Sequence, residues 1–523
     1  MNPQGSPSRR RLSVAMILRD EQDVLQATLE SVRPIAEEIA LLDTGSGGQA
    51  VAVAERCGAT VFHAAWERDF SAARNQLLEK VTGQWILWLE PGERLLEPSR
   101  TELREFVDRV ADASRVYHVL VEAPSADTTA SPEQAAQLRL MPSRPDLWFE
   151  GRVRETLKPS IEAAGLQIDM APGKVLGLPR RQDCGFKSRK AGEDLELARL
   201  EWLQSERPQT RILLAMGEAA SDLDDRATAR HAFSQAVRAA PRGSTEMLEA
   251  YYGLLASFEG DSGAAPRQLA ICAEALEVFP RDAQLLCALG SYLQTQNHLD
   301  LAARAFDAAV RFGQVNPETW HLRDIGEVAA ACLSLNLQLL QRDDDARGTL
   351  EEALGRHPDS TRLRRHLMDL HVKHGRTAEA LRVAERLPMA AEDREPLRNA
   401  VRGACLAARQ EWVSALGYLQ SAYVAGCGDS LCLRWLSVAL LSNGQKAAAL
   451  PVLHLWRQRE PGNREVQAYL AAIERAAPTA PSRGALSPMP LDESHWHRID
   501  AGTMVLAAPT CPVPIISQTF STD

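Results

Sequence analysis

Two acidic residues stand directly after short apolar runs of the sequence, where a carboxylate can reach a ligand. Asp43 follows the run at 39–42, and Glu90 follows the run at 85–89. An apolar run of this length predicts a strand that is buried on both faces. Because ligands of open α/β sheets bind beyond the carboxyl ends of the strands, the sequence places both acids at the edge of one candidate site.

Strand and helix signals alternate along the first part of the chain. Further apolar runs at 12–18 and 60–62 predict two more strands, and helical patterns lie at 49–57 and 69–81. Strands that are separated by helices indicate βαβ units. We therefore expect an α/β domain with a mainly parallel sheet over residues 12–180.

The sequence changes character at about residue 190, where strand signals end and helices rich in alanine and leucine begin. Small residues recur there with a period of about 34 residues, which is typical of tetratricopeptide repeats. The register is carried by Ala302, Ala346, Ala380, Ala415 and Ala449. We predict about seven antiparallel helix pairs over 190–476, with small residues such as Gly217, Gly290, Ala302 and Ala309 at the helix contacts.

The last part of the chain, residues 477–523, begins with a composition typical of linkers and then shows no clear periodicity. Its apolar stretch contains Pro509, Pro512 and Pro514, which exclude a membrane helix. We interpret this part as a linker and an irregular tail. An extended segment that docks on the repeats is the alternative.

The charge and cysteine content of the chain exclude several classes of protein. A net charge of −10 argues against nucleic acid as a partner, because such binding needs a concentrated basic face. No run approaches the ~20 apolar residues of a membrane span. The nine cysteines form no Cys-x-x-Cys pair, so we expect reduced core thiols and a cytoplasmic protein.

Five short blocks of the first domain occur in the order and at the spacing of the family 2 glycosyltransferases. They are Ile17-Leu-Arg-Asp-Glu21, Leu42-Asp-Thr-Gly-Ser46, Asp69-Phe-Ser-Ala-Ala-Arg-Asn75, Gly83-Gln-Trp-Ile-Leu-Trp-Leu89 and Phe149-Glu-Gly-Arg-Val-Arg-Glu155. Residues 12–180 thus resemble the α/β nucleotide-sugar-binding (GT-A-like) domain of that family. More narrowly, the chain resembles the bacterial group in which this domain is fused to an all-α tetratricopeptide solenoid.

The resemblance implies a donor-binding role for several side chains. The family's acid after the second strand binds the base, which implies Asp43, and the turn at Gly45 and Ser46 leaves backbone N–H groups for the ligand. The family's arginine approaches the nucleotide, which implies Arg74. The implied donor-binding set is Asp20, Asp43, Gly45, Ser46, Arg74, Asn75, Glu90 and Arg154. We expect Asp43, Arg74, Glu90 and Arg154 to converge on one pocket. As alternatives, Asp43 caps the next helix and Arg74 pairs with Asp69.

The positions that bind a divalent metal in the family are changed in this chain. Where the family reads Asp-Ala-Asp-Glu, this sequence reads Glu90-Pro-Gly-Glu93, and the family's His-Glu is Arg154-Glu155. Because Gly92 and Arg154 replace both expected side-chain ligands, we expect no metal cofactor. An arginine can pair with a diphosphate instead. On this interpretation, the double change Gly92→Asp with Arg154→His restores metal binding.

A sugar transfer with inversion also needs a carboxylate base beside the acceptor hydroxyl. We assign catalytic roles to Glu155, as this base, and to Glu93; a surface acid is the alternative for Glu155. The sequence then predicts a protein that binds a nucleotide sugar and transfers the sugar to a peptide, protein or glycan acceptor. The alternative is a catalytically inactive glycosyltransferase-like scaffold that binds a protein or peptide on the concave surface of its repeats.

Overall fold

The computed structural model describes residues 11–19, 22–124, 131–177, 184–205, 209–261, 263–460 and 463–475. Contacts divide this chain into two compact units. The first includes the described residues up to Asp282 together with Val315–Arg323. The second includes Ala283–Gln314 and the described residues from Asp324 onward.

All strands of the described chain belong to the first unit. They are β1 (Leu12–Leu18), β2 (Glu38–Asp43), β3 (Thr60–His63), β4 (Trp85–Trp88), β5 (Arg115–Ala123), β6 (Glu133–Pro142), β7 (Gln167–Leu176) and β8 (His321–Leu322). They form one sheet in the order β3-β2-β1-β4-β6-β5-β7, and β8 pairs with β6. The pairs among β1 to β4 are parallel as predicted, but β6 is antiparallel to both β4 and β5. The sheet is therefore mixed, because the second half contains strands that the apolar runs did not reveal.

The helices of the first unit cover the sheet and begin the repeats. They are α1 (Gln22–Val32), α2 (Gln49–Arg56), α3 (Phe70–Leu78), α4 (Ser99–Arg109), α5 (Lys158–Ala163), α6 (Cys184–Gln204), α7 (Thr210–Asp222), α8 (Arg226–Ala239), α9 (Thr245–Ala256) and α10 (Ala265–Val278). Successive side chains of a strand point to opposite faces. Val14 of β1 therefore packs in one core with Leu25 of α1, and Ile17 packs in the other with Leu77 of α3. Helices thus cover both faces of the sheet.

The described residues of the second unit are almost entirely helical. Its helices are α11 (Ala283–Thr295), α12 (Leu299–Phe312), α13 (Ile325–Leu339), α14 (Asp343–Arg356), α15 (Thr361–Lys373), α16 (Thr377–Ala384), α17 (Ala391–Ala408), α18 (Trp412–Val424), α19 (Ser430–Ser442), α20 (Lys446–Arg459) and α21 (Arg464–Arg475). Helix pairs from α7–α8 to α19–α20 follow one another along the described chain, which is the predicted tetratricopeptide-like arrangement. The predicted linker and tail at 477–523 lie outside the described residues. None of the helices in the described ranges has both the length and the apolar character that a membrane crossing requires.

Small residues lie where the helices of a pair approach each other most closely. A Cβ atom added to Gly290 of α11 would lie 2.6 Å from the ring of Phe306 on α12. Gly217 of α7 has the same relation, at the same distance, to Phe233 of α8. The phenylalanine rings are almost completely buried, so they have no room to move. The predicted role of the small residues at the helix contacts is confirmed.

We expect Gly290→Ala to lower the free energy of unfolding by about 1–3 kcal/mol, because the new methyl group overpacks against Phe306. Gly348→Ala is the matched control, since Gly348 also lies within a helix but meets no described atom within 4 Å of an added Cβ. The control should be neutral or stabilised by up to about 1 kcal/mol. Thermal unfolding followed by far-UV circular dichroism measures both. Equal midpoints for the two variants would contradict the packing argument.

Candidate functional site

Five charged side chains meet at the carboxyl end of β4. They are Arg74, Glu90, Glu93, Arg139 and Glu155, and their side chains are between 1% and 9% exposed. Arg74 donates from Nη2 to Glu90 Oε1 at 2.8 Å and from Nε to Glu155. Arg139 donates from Nη2 to Glu93 Oε1 at 2.7 Å, and its Nη1 lies 3.4 Å from Glu90 Oε1. Three carboxylates share two guanidinium groups, so the cluster has one surplus negative charge when all five are ionised.

A tight turn after β4 brings two of these carboxylates together. Glu93 N donates to Glu90 O at 3.0 Å, and Gly92 has a φ angle of +99°. With Pro91 in the second position, these features define a type II turn, whose third position favours glycine. The Glu93 side chain in turn accepts a hydrogen bond from Glu90 N at 2.8 Å. The Glu-Pro-Gly-Glu sequence therefore forms a turn that the Glu93 carboxylate stabilises.

Helix α3 carries Arg74, whose side chain contacts Glu90 of this turn. Asp69 begins the helix by accepting a hydrogen bond from Ala72 N at 3.0 Å, so it caps α3 and does not pair with Arg74. Asn75 donates to Phe149 O at 2.9 Å and accepts from Phe149 N at 2.8 Å. This two-way bond ties the loop after β6 to α3. In the structure, the Asn75 side chain therefore stabilises this loop.

Two aromatic rings enclose the guanidinium group of Arg74. Its central carbon lies 4.4 Å from the ring centroid of Trp88 and 5.1 Å from that of Phe149. The indole N–H of Trp88 also donates to Glu90 Oε1 at 3.2 Å. Aromatic faces attract a cation most strongly where water is excluded. Arg74 is therefore held by carboxylates at its nitrogen atoms and by rings near its central carbon.

The electrostatics of the cluster centre on Glu90. Burial raises the pKa of Glu90 to about 7, although Arg74 and Arg139 oppose the shift. Among the residues that the structure describes, its Oε2 has no hydrogen-bond partner. Burial lowers the pKa of Arg74, but Glu155 and Glu90 outweigh it, so the net shift is upward. Glu90 therefore carries a proton at pH values below about 7.

The side chains at this position do not fit a divalent metal ion. Such an ion needs several oxygen or nitrogen donors in a fixed geometry. Here the guanidinium groups of Arg74 and Arg139 already contact Glu90 and Glu93 and would repel a cation. An aspartate at position 92 would be strained by the positive φ angle. No group of three or more His, Cys, Asp or Glu in the described ranges is arranged to hold a metal.

The prediction that Arg154 joins this pocket was wrong. Its guanidinium group pairs with Glu218 of α7 and lies 2.8 Å from Glu249 of α9. Arg154 has a φ angle of +51° in a tight loop. As a result the neighbouring residue, Glu155, reaches Arg74 while Arg154 faces the helices. Changing Arg154 to histidine would therefore break contacts with the repeats, and the geometry argues against the double change as a metal rescue.

Asp43 lies at the carboxyl end of β2 in a separate turn. Its Oδ1 accepts hydrogen bonds from Ser46 N at 2.8 Å and Gly45 N at 3.3 Å, and its Oδ2 lies 3.1 Å from His63 Nδ1. Burial raises the pKa of Asp43, but bonds from Ser46, His63 and Gly45 outweigh it, so the net shift is downward. The N-cap residue of α2 is Gly48, so the helix-cap alternative for Asp43 was wrong.

The sequence-based set of site residues is thus divided among several places. Asp20 lies outside the described residues. Glu155 is not a surface acid, since its side chain is 1% exposed. Arg139 was missed, although a lone arginine in the apolar run Leu138-Arg-Leu-Met was a visible signal. Trp88 and Phe149 stood inside the matched blocks, but no spacing rule indicated that both would enclose an arginine.

We expect the local stability of β4 to fall by about 2 kcal/mol between about pH 5 and about pH 8. The pKa of Glu90 in the fold lies above its ordinary value of 4.5. The stability that the bound proton contributes is therefore complete below that value and is lost as the pH rises through about 7. Glu90→Gln places a neutral side chain at this position at every pH. The opening free energies of its β4 amides should therefore not change with pH over this range. Hydrogen exchange of β4 gives the opening free energies.

The control for this experiment is Glu97→Gln, which changes a half-exposed glutamate of the same domain. It should retain the pH dependence of the unchanged protein. If Glu90→Gln shows the same loss between the two pH values as the unchanged protein, Glu90 does not hold the proton.

Comparison with known proteins adds two family matches. Residues 13–91 match the Glycosyl transferase family 2 domain, and residues 342–404 match the Tetratricopeptide repeat. A TPR repeat-containing protein of Synechococcus elongatus is 38% identical over 154 residues, which are 29% of this chain and 37% of that protein. The chain therefore spans little more than a third of the length of this relative.

Solved structures with partial similarity to this chain include two that cover half of it or more. A tetratricopeptide repeat protein from Parabacteroides merdae is 15% identical, with a TM-score of 0.38, and the match covers 50% of this chain and 97% of that one. Yeast Tom70 is 12% identical, with a TM-score of 0.34 and coverage of 57% and 65%. The chain carries a family 2 glycosyltransferase domain, matched over residues 13–91, and tetratricopeptide repeats, matched over residues 342–404.

Proposed function

We propose that this protein is a protein-binding scaffold whose glycosyltransferase domain no longer performs metal-dependent sugar transfer. The observation that carries the proposal is the buried cluster at the end of β4. There Glu90, Glu93 and Glu155 are all paired with Arg74 or Arg139. Glu90 and Glu93 flank position 92, from which the family would bind its metal, and Glu155 is the carboxylate that we assigned as the base.

The state of Glu155 is the strongest argument against transfer. A general base must contact the hydroxyl group whose proton it removes. The Glu155 side chain is 1% exposed and accepts a hydrogen bond from Arg74. Bringing it to an acceptor would break a buried ion pair and leave Arg74 with one carboxylate fewer. Breaking such a pair costs about 3–5 kcal/mol, which the binding of an acceptor would have to offset.

Contacts of the repeat helices of the first unit with the α/β domain support the scaffold proposal. These helices contact the loop of the α/β domain that includes Arg152 and Arg154. Glu201 accepts a hydrogen bond from Arg152 N at 3.0 Å, and Arg211 donates to Val153 O. Acidic side chains of α7 and α9 pair with Arg154, as described above. We propose that the scaffold binds a basic segment of a partner protein through the same combination of backbone hydrogen bonds and ion pairs.

We expect Mn²⁺ to increase neither nucleotide-sugar turnover nor nucleotide affinity, because Arg74 and Arg139 take up the oxygen atoms that a metal would need. Turnover is measured as release of the nucleoside diphosphate from a panel of nucleotide sugars, and affinity by calorimetric titration. A metal-dependent family 2 glycosyltransferase assayed in parallel is the positive control. Manganese-dependent turnover by the unchanged protein would refute the scaffold proposal.

A second candidate function is binding of a nucleotide without metal at the turn after β2. One observation favours it: Gly45, Gly47 and Gly48 of this turn are exposed, unlike the cluster at β4. No described side chain caps the N-terminus of α2, which begins directly after the turn. Backbone N–H groups at such a helix end attract an anion. The adjacent Asp43 carboxylate fixes the turn through its bonds to backbone N–H groups.

We expect Asp43→Asn to weaken nucleotide binding at least tenfold, because the amide loses the charge that organises the turn. Asp146→Asn is the control, since Asp146 is an exposed acid of the same domain that pairs with Arg144. Calorimetric titration in the absence of Mn²⁺ compares the two variants, and circular dichroism checks that both are folded. Equal affinities for the two variants would exclude the turn as the nucleotide site.

A further inference from the structure

A cavity of about 440 Å³ lies among the first repeat helices of the first unit. Helix α6 packs against α7, and α7 packs against α8. The cavity is lined by Trp202 of α6, by Leu213 and Met216 of α7, and by one face of α8. Its volume lies within the range of about 300–1,000 Å³ that is typical of small-molecule sites. None of its lining residues belongs to the charged cluster at the end of β4, so the cavity is a separate site.

Much of the lining is apolar. Trp202 and Met216 pack on the apolar cluster that joins α6 to α7, but both remain only partly buried. Leu213 and Ala232 are 4% and 2% exposed. The short side chain of Ala232 leaves the neighbouring space unfilled. An apolar group that enters the cavity would remove indole and thioether surface from water, which favours binding.

The polar side chains of the lining come from α8. His231, Gln235 and Arg238 follow one another at spacings of four and three residues, which places them on one side of the helix. His231 and Arg238 are exposed, and among the described residues neither side chain has a hydrogen-bond or ion-pair partner. Within the described ranges, no acidic side chain lines the cavity. A row of hydrogen-bond donors with one permanent positive charge therefore borders the apolar surface.

We propose that this cavity binds a free medium-chain fatty acid, whose chain contacts Trp202 and Met216 and whose carboxylate accepts hydrogen bonds from Arg238. The planar guanidinium group can donate two parallel N–H bonds to a carboxylate. A cationic head group would instead be repelled by Arg238. The proposal concerns the first repeat helices and does not depend on the proposed function of the α/β domain.

The test titrates the full-length protein calorimetrically with dodecanoate below its micelle concentration. We expect saturable binding of one dodecanoate per chain. Arg238→Gln should weaken this binding about tenfold, because an amide cannot donate two charged hydrogen bonds. Ala239→Trp, which places a large side chain at an exposed position of the lining, should abolish it. Ala227→Trp is the matched control and should bind normally, because Ala227 is an exposed residue of α8 outside the lining.

A second ligand separates recognition of the carboxylate from apolar attraction alone. Dodecyltrimethylammonium carries the same chain on a cationic head group and should bind at least about tenfold more weakly than dodecanoate. The proposal would be overturned by absence of dodecanoate binding, by equal affinities for the two ligands, or by undiminished binding in Arg238→Gln or Ala239→Trp. A dimer of the unchanged protein that Ala239→Trp dissociates in sedimentation would assign the cavity to a second copy and would also overturn it. Circular dichroism shows that the variants compared are folded.

Discussion

The buried guanidinium group of Arg74 is the contact on which the candidate site depends. It connects α3 to the turn after β4 through Glu90 and to the loop after β6 through Glu155. Charges removed from water are tolerated only when they are paired and hydrogen-bonded. The three elements that carry these residues must therefore keep their present positions, or one of the charges would remain buried without a partner. All three carboxylates of the cluster are thus engaged by internal ion pairs.

The loop after β6 shows how this constraint extends to the repeats. Consecutive residues of the loop make contacts in different directions, since Glu155 pairs with Arg74 while Arg154 pairs with Glu218 and Glu249. The first repeat helices thus help to hold the loop that carries Glu155. This explains why α6 to α10 belong to the same compact unit as the sheet, although the composition of the sequence changes near residue 190.

The turn after β4 includes the residues that depart from the family's Asp-Ala-Asp-Glu pattern. Pro91 and Gly92 form a turn, and the φ angle at Gly92 is one that a residue with a side chain rarely adopts. The two flanking acids then point to Arg139 and Arg74. Glu90 and Glu93 therefore belong to one buried salt-bridge system with Arg74 and Arg139.

Local patterns in the sequence determined the parallel strands β1 to β4, the helix pairs and the small residues at their contacts, because each depends on neighbours within about one repeat. The sequence also shows that position 92 is a glycine, which has no side chain to bind a metal. The partners of Arg154 could not be inferred from it, since Glu218 and Glu249 lie 64 and 95 residues further along the chain. Nor could the pairing of Arg139 with Glu93, 46 residues away. Such pairs depend on how separate elements pack, and no local period or charge pattern encodes that packing.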